Sequence, residues 1–248
     1  MKYHLLTVTA LIVFLTSCSS IKSSSTREYI PSGSTIGVVT IFDDDALALT
    51  KGNGVLSDLR DEEIATWMLT QSFQGITEQK FQQDGFFRVK HIEYPLAELR
   101  SIATTHHGIT ETMINIEERL FMQIQDIINI EKLDAVMLIF IGPVKASESR
   151  QYGTGYGLEH YSLFREAHVY VHANYALYDV KLNRRFKGGT LLGVKSISDS
   201  LLVGLEEDRK EKLIKRGVLE AFELSLEEAL KHLFAKLKRS EHINTMVH

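Results

Sequence analysis

Thr35-Ile36-Gly37-Val38-Val39-Thr40-Ile41-Phe42 is a near-continuous apolar run rich in β-branched residues, bounded by Gly33 and by Asp43-Asp44-Asp45. A strand with one wet face alternates apolar and polar side chains, whereas a strand covered on both faces does not. The run therefore predicts a central strand with packed layers above and below it. Asp134-Ala135-Val136-Met137-Leu138-Ile139-Phe140-Ile141 repeats the pattern and stops at Gly142-Pro143. Two such strands separated by helical periodicity point to an α/β arrangement.

Working outward, Ala46 to Thr50 reads as a short second strand closed by the turn signal Lys51-Gly52-Asn53-Gly54. Asp61-Glu62-Glu63 places acids where they complement the dipole of a starting helix. Ile64, Trp67, Met68, Phe73, Ile76 and Phe81 continue its stripe to Asp84-Gly85, and Phe86 to Tyr94 reads as a strand stopped by Pro95. A polar break from Thr104 to Thr110 separates two helical pieces, the second carried by Ile116, Leu120, Ile124 and Ile127. Gly153-Thr154-Gly155-Tyr156-Gly157 reads as a polar loop. In the strand that follows, Val169, Val171, Ala173, Tyr175 and Leu177 share one face. His168, Tyr170, His172, Asn174 and Tyr178 share the other, expected to be polar-aromatic and wet. Asn183 turns this strand into a hairpin with Phe186 and Thr190 to Ile197, and a long amphipathic helix carried by Leu219, Phe222, Leu226, Leu230, Leu233 and Leu237 closes the chain. The expected order is ββαβααβββα. The expected fold is a mixed sheet packed by amphipathic helices, in a two-layer or three-layer sandwich.

The N-terminal region has a different character. Lys2 supplies a positive start, and Leu5 to Thr16 form an apolar stretch ahead of Cys18, the one cysteine in 248 residues. Crossing a bilayer takes roughly 20 apolar residues, whereas the apolar part of an export signal takes about 7 to 15. Residues 1–17 thus read as a signal peptide. From Cys18 to residue 34 the chain reads as a flexible tether, with Ser23-Ser24-Ser25, Pro31 and Gly33, spanning roughly 20 to 25 Å. Residues 35–248 read as one exported α/β domain, held together without disulfides.

Leu15-Thr16-Ser17-Cys18 resembles the lipobox of bacterial lipoproteins. That resemblance implies a diacylglycerol on the Cys18 thiol, cleavage before it and acylation of the new amino terminus, with no other cofactor. Each buried CH₂ adds about 0.8 kcal/mol, so several acyl chains anchor stably where a single chain does not. Ser19-Ser20 in place of an aspartate after the cysteine implies the outer membrane, with the domain facing the periplasm. Four further phrases resemble periplasmic lipoproteins of the penicillin-binding-protein activator type, the curli secretion lipoprotein and the N-terminal domain of the translocation protein TolB. They are Thr35 to Phe42, Gln83-Asp84-Gly85-Phe86-Phe87-Arg88-Val89, Asp134 to Ile141 and Tyr178-Asp179-Val180-Lys181. This likeness implies an α/β lipoprotein that works beside other envelope proteins.

Motifs for chemistry are weak by comparison. The Gly153 to Gly157 run lies about eleven residues beyond a strand end and precedes a strand, not the helix that a phosphate-binding turn requires. Asp43-Asp44-Asp45 lacks the spaced oxygen ligands of a calcium loop. His168 and His172 stand roughly 13 Å apart along a strand, too far to chelate one ion, and His106-His107 has no Cys or acidic cluster beside it. Gly-x-Ser-x-Gly and His-Glu-x-x-His do not occur. A net charge of −4, becoming −5 once Lys2 leaves with the signal, argues against nucleic acid, and no Lys/Arg block in the sequence points to a patch for an anionic surface. The expectation is a membrane-anchored, non-catalytic interaction or assembly factor, its oligomeric state unspecified. Tyr152 and Tyr156 in the glycine loop and His168, Tyr170, His172 and Tyr178 on the strand are its expected contact residues for another envelope protein. The alternative is a small-ligand or envelope-glycan binder using the same face, with a hydrolase last.

Overall fold

The computed structural model describes residues 30–51, 60–104, 113–141, 155–161, 166–198, 202 and 205–246. Cys18, Tyr152, the expected signal peptide and residues 18–29 of the expected tether lie outside the described residues.

The strands are β1 (Thr35–Ile41), β2 (Asp45–Lys51), β3 (Arg60–Thr66), β4 (Arg88–Lys90), β5 (Ala135–Phe140), β6 (Gly155–Tyr161), β7 (Glu166–Asp179) and β8 (Arg184–Ser198). The helices are α1 (Thr70–Asp84), α2 (Leu96–Thr104), α3 (Met113–Gln123), α4 (Gln125–Glu131) and α5 (Glu207–Met246). All eight strands form one mixed sheet in the order β3-β2-β6-β7-β5-β1-β4, with β8 paired to β7. β1 lies parallel to both β5 and β4, and β2 lies parallel to β6.

Both apolar runs form doubly buried strands, as their lack of alternation predicts. Ile36 and Val38 of β1, and Ala135, Met137 and Ile139 of β5, pack into one cluster with Phe73 and Phe81 of α1 and Phe222, Leu226 and Leu233 of α5. Val39 and Ile41, with Val136, Leu138 and Phe140, pack into a second cluster with Leu99 of α2, Ile116 and Leu120 of α3 and Ile128 of α4. Around β1 and β5 the domain is therefore a three-layer sandwich. The hairpin turn also falls where expected, with Asn183 at φ 47° between β7 and β8.

β7 organises the sheet. Its C-terminal half pairs with β5 from Asn174 to Asp179, its N-terminal half pairs with β6 from Glu166 to His172, and β8 runs beside it from Glu166 to Asp179. Two sub-sheets, β5-β1-β4 and β6-β2-β3, thus meet on one strand.

Several expectations need correction. The helix expected to start at Asp61-Glu62-Glu63 begins only at Thr70, because Arg60–Thr66 is a strand whose Glu62 and Glu63 lie opposite Ala48 and Leu47 of β2. An available strand partner overrides a local charge pattern. The expected loop residues Gly155 and Gly157 belong to β6, where Tyr156 and Leu158 enter the core. Glycine had masked a period of two. β4 is three residues long, not the nine from Phe86 to Tyr94.

Residues 30–34, expected as part of a tether, are packed on the domain. Ile30 is buried in the core, Gly33 N–H donates to Phe86 O at 2.7 Å, and Ser34 is buried. Ile30 to Ser34 therefore belong to the folded domain, fixed by one apolar anchor and the α1–β4 turn. That turn uses Gly85 in the left-handed region at φ 73°, closing α1 on Phe81 O.

Candidate functional site

The short β4 opens a cleft. Pairing of β1 with β4 stops at Gly37 and Lys90, which leaves the next backbone groups on that edge of β1 without a ladder partner. Buried polar groups of this kind must be satisfied by other means. Side chains take over. Tyr94 Oη accepts Thr40 N–H at 3.0 Å and lies 2.9 Å from Thr40 O and 3.3 Å from Gln74 Oε1. Gln74 Nε2 reaches Glu78 Oε1 at 2.9 Å and the carbonyls of Val38 and Ile92 at 3.3 Å. Thr40 Oγ1 donates to Thr70 O at 2.8 Å. Burial pushes the Tyr94 phenol up, keeping it protonated as this network requires.

Between α1 and the segment joining β4 to α2 this leaves a cleft of about 510 Å³, lined by Gln71, Gln74, His91, Glu93, Tyr94 and Leu96 among others. Its wall is committed to holding backbone. At its rim Gln71, His91 and Glu93 are exposed, with His91 Nδ1 held by Glu78 Oε1 at 3.0 Å. The rim offers the amide of Gln71 and the carboxylate of Glu93 beside the flank of Tyr94 and Leu96, a chemistry suited to recognising a polar or peptide-like ligand. On the far side of β1, Arg100 clamps the strand end, donating in a bidentate pair to Asp44 at 2.7 and 2.5 Å and to Phe42 O at 2.6 Å. This fork fixes α2 against the sheet.

A second polar feature lies inside the molecule. Glu117 of α3 is fully buried, with Arg185 Nε 2.9 Å from its Oε2. The pair is close, but the Nε–H is not directed along that line, and neither Glu117 oxygen accepts a hydrogen bond. Burial therefore outweighs the guanidinium, and with some help from Glu118 it raises the Glu117 carboxyl to about 7. Tyr178, opposite Arg185 in the ladder and stacked on Phe121 at 4.1 Å, is pushed up to about 12 by burial and by Glu117.

The contact residues expected from sequence do not form a surface. Tyr156 is 1% exposed, stacks on Trp67 and donates to Asp44 O at 2.8 Å. Tyr170 and His172 are 0% and 1% exposed, and Tyr178 is buried beneath α3, while His168 is half-buried. The face expected to be wet is thus buried, and at its Tyr178 end Phe121 of α3 covers it. Gln74, Tyr94, Glu117 and Arg185 were not singled out by sequence. Tyr94-Pro95 at the end of an expected strand was the available signal for the cleft. For the buried pair it was Glu117 within the apolar stripe Ile116–Leu120. Among the described residues no cluster of His, Cys, Asp and Glu is arranged to hold a metal ion.

No family model matches the chain, and no curated protein matches it. Among solved structures it is similar to a Xanthomonas campestris protein of the DUF330 family model, at 9% identity and TM-score 0.43, covering 88% of this chain and 90% of that one. It is similar to lipoprotein GNA1162 from Neisseria meningitidis, at 14% identity and TM-score 0.34, covering 74% and 94%. The LpoB C-terminal domain from Salmonella enterica gives 9% identity and TM-score 0.27, covering 68% and 85%. Likenesses of this size assign no family, so the functional reading rests on the chain itself.

Proposed function

We propose that this chain is a lipid-anchored periplasmic protein of the cell envelope that acts as a non-catalytic interaction factor, receiving a segment of another envelope protein in the cleft between α1 and the β4–α2 segment. The observation that carries this reading is the opposition of the two ends of β1. The chain enters the domain at Ile30 to Ser34, beside the amino end of β1, whereas the cleft begins at Thr70, which is bonded to Phe42 O beyond the carboxyl end. An anchor at Cys18 then leaves the cleft turned away from the membrane.

The anchor is tested by feeding cells a fatty-acid analogue. Label is expected on the parent chain and absent from Cys18→Ala; equal labelling of both would refute lipidation. The cleft is tested with a photoreactive residue placed at Gln71, Glu93 or, as a control, Glu211 on α5. The cleft positions are expected to yield an adduct with an envelope protein in intact cells, and the control is not. The cleft volume also falls in the range of small-ligand sites, about 300 to 1,000 Å³, which favours a glycan or other small ligand as the second reading. Retention of the chain on peptidoglycan fragments, lost on Gln71→Ala, without any protein adduct, would replace the first reading by the second.

A further inference from the structure

We propose that the end of the domain at which the chain enters is a basic docking face for anionic phospholipid, the surface to which Cys18 would tie it; this rests on the anchor reading above. The fold gathers this face from separate segments. Thr35 pairs with Arg88, Asp134 N–H donates to Thr35 O, Ala135 pairs with Asp179, and Asp179 pairs with Arg184. α5 arrives at the same end, with Lys236 Nζ on Phe186 O, Lys238 paired to Asp84 at 2.9 Å, and Glu241 accepting Ser32 N–H at 3.2 Å.

Arg88, Lys132, Lys181 and Arg239 are exposed here, and Arg184 and Lys187 are half-buried. The acids at this end are engaged. Glu131 and Asp84 hold Lys90 and Lys238. Asp134, Asp179 and Glu241 accept the backbone N–H groups of Thr35, Leu182 and Ser32. Arg88, Lys90, Lys132, Lys181, Arg184, Lys187, Lys238 and Arg239 outnumber the carboxylates of Asp84, Glu131, Asp134, Asp179 and Glu241, so the end is positive, although the whole chain carries −4. At the hairpin tip, Leu182 is 36% exposed and directly follows exposed Lys181, which offers an apolar contact among cations.

Reach agrees with this. Twelve peptide steps separate Cys18 from buried Ile30, and twelve steps span at most about 40 Å however they run. A domain held that close meets the headgroups repeatedly, and each Lys or Arg near an anionic surface favours contact about fivefold. Attraction of this kind orients the body so that the cleft points outward.

The processed, acylated chain is reconstituted in vesicles of phosphatidylcholine alone or with about 30% phosphatidylglycerol, and amide exchange is followed by mass spectrometry. Amides of residues 180–184 are expected to exchange at least about fivefold more slowly on the anionic vesicles. The slowing should vanish in about 0.5 M salt. It should also vanish in Lys132→Glu/Lys181→Glu, whose unchanged exchange across β1 and β5 reports an intact fold. Equal exchange on both vesicle types, or slowing over residues 91–96 instead, would overturn the proposal. If the parent chain does not float with neutral vesicles, the anchor reading fails on its own. Flotation with anionic vesicles then decides the surface: salt-sensitive flotation sustains it, and no flotation ends it.

Discussion

Glu117→Gln is expected to be more stable than the parent chain above pH 7, by up to about 3 kcal/mol, and to lose that advantage below pH 4.5. Burial raises the folded carboxyl to about 7 from an ordinary 4.5, so between those values the folded state holds a proton that the unfolded chain has released. The contribution of this group is fully present below about 4.5 and is lost as pH rises through about 7. Above that, the fold carries a buried carboxylate whose neighbour Arg185 is close but poorly aligned. Glutamine keeps the shape and removes the charge. Urea midpoints of both chains from pH 4 to 9 provide the test, since their difference isolates this group from the other titrations. A difference curve with no step between 4.5 and 7 would remove the buried carboxyl from the account.

Gly193→Ala is expected to cost about 3 kcal/mol or more, and to free the middle of α5 from the sheet. A Cβ at Gly193 of β8 would collide with the backbone carbonyl of Ala221 in α5. A collision with a side-chain end can be relieved by a rotamer change, but backbone against backbone forces the helix away. That separates β8 from Ala221 and Phe222, and Phe222 packs against Phe73 with ring centroids 4.4 Å apart. Gly75→Ala is the contrast. Nothing lies within 4 Å of its added methyl, and α1 is helical there, so the chain is expected to gain about 0.5 to 1 kcal/mol. Thermal midpoints that move in the same direction for both variants would contradict the close approach of α5 to β8.

The backbone plan was readable from the residues wherever a pattern reported burial directly. β1 and β5 lack alternation because two layers cover them, and the closing helix shows its apolar stripe because only one side of it is covered. Reading failed where exposure was inferred from residue type. Tyr170 and His172 alternate with valines, which ordinarily marks a wet face, yet both are buried. A polar side chain at the right period says that a face differs, not that it meets water. The candidate cleft was illegible for another reason. Gln74 and Tyr94 matter because β4 ends after three residues, and strand length depends on pairing across the sheet more than on the local segment. The basic face was hidden in the same way. Arg88, Lys132, Lys181, Lys187 and Arg239 lie far apart in sequence, and only the fold brings their segments to one end.

The shared strand β7 also sets an order in time. A chain is made from its N-terminus, so β2 and β3 are complete by residue 66, long before the strands that join them to the rest. Their parallel neighbour β6 begins at Gly155, and the link from β6 to the β5-β1-β4 sub-sheet is β7, which ends at Asp179. Until β6 is complete at Tyr161, β2 presents an open ladder edge to whatever surrounds it. Unpaired edges are where chains stick to one another, so the interval between β3 and β6 is a vulnerable one, and the fourteen residues of β7 then join the two sub-sheets into one.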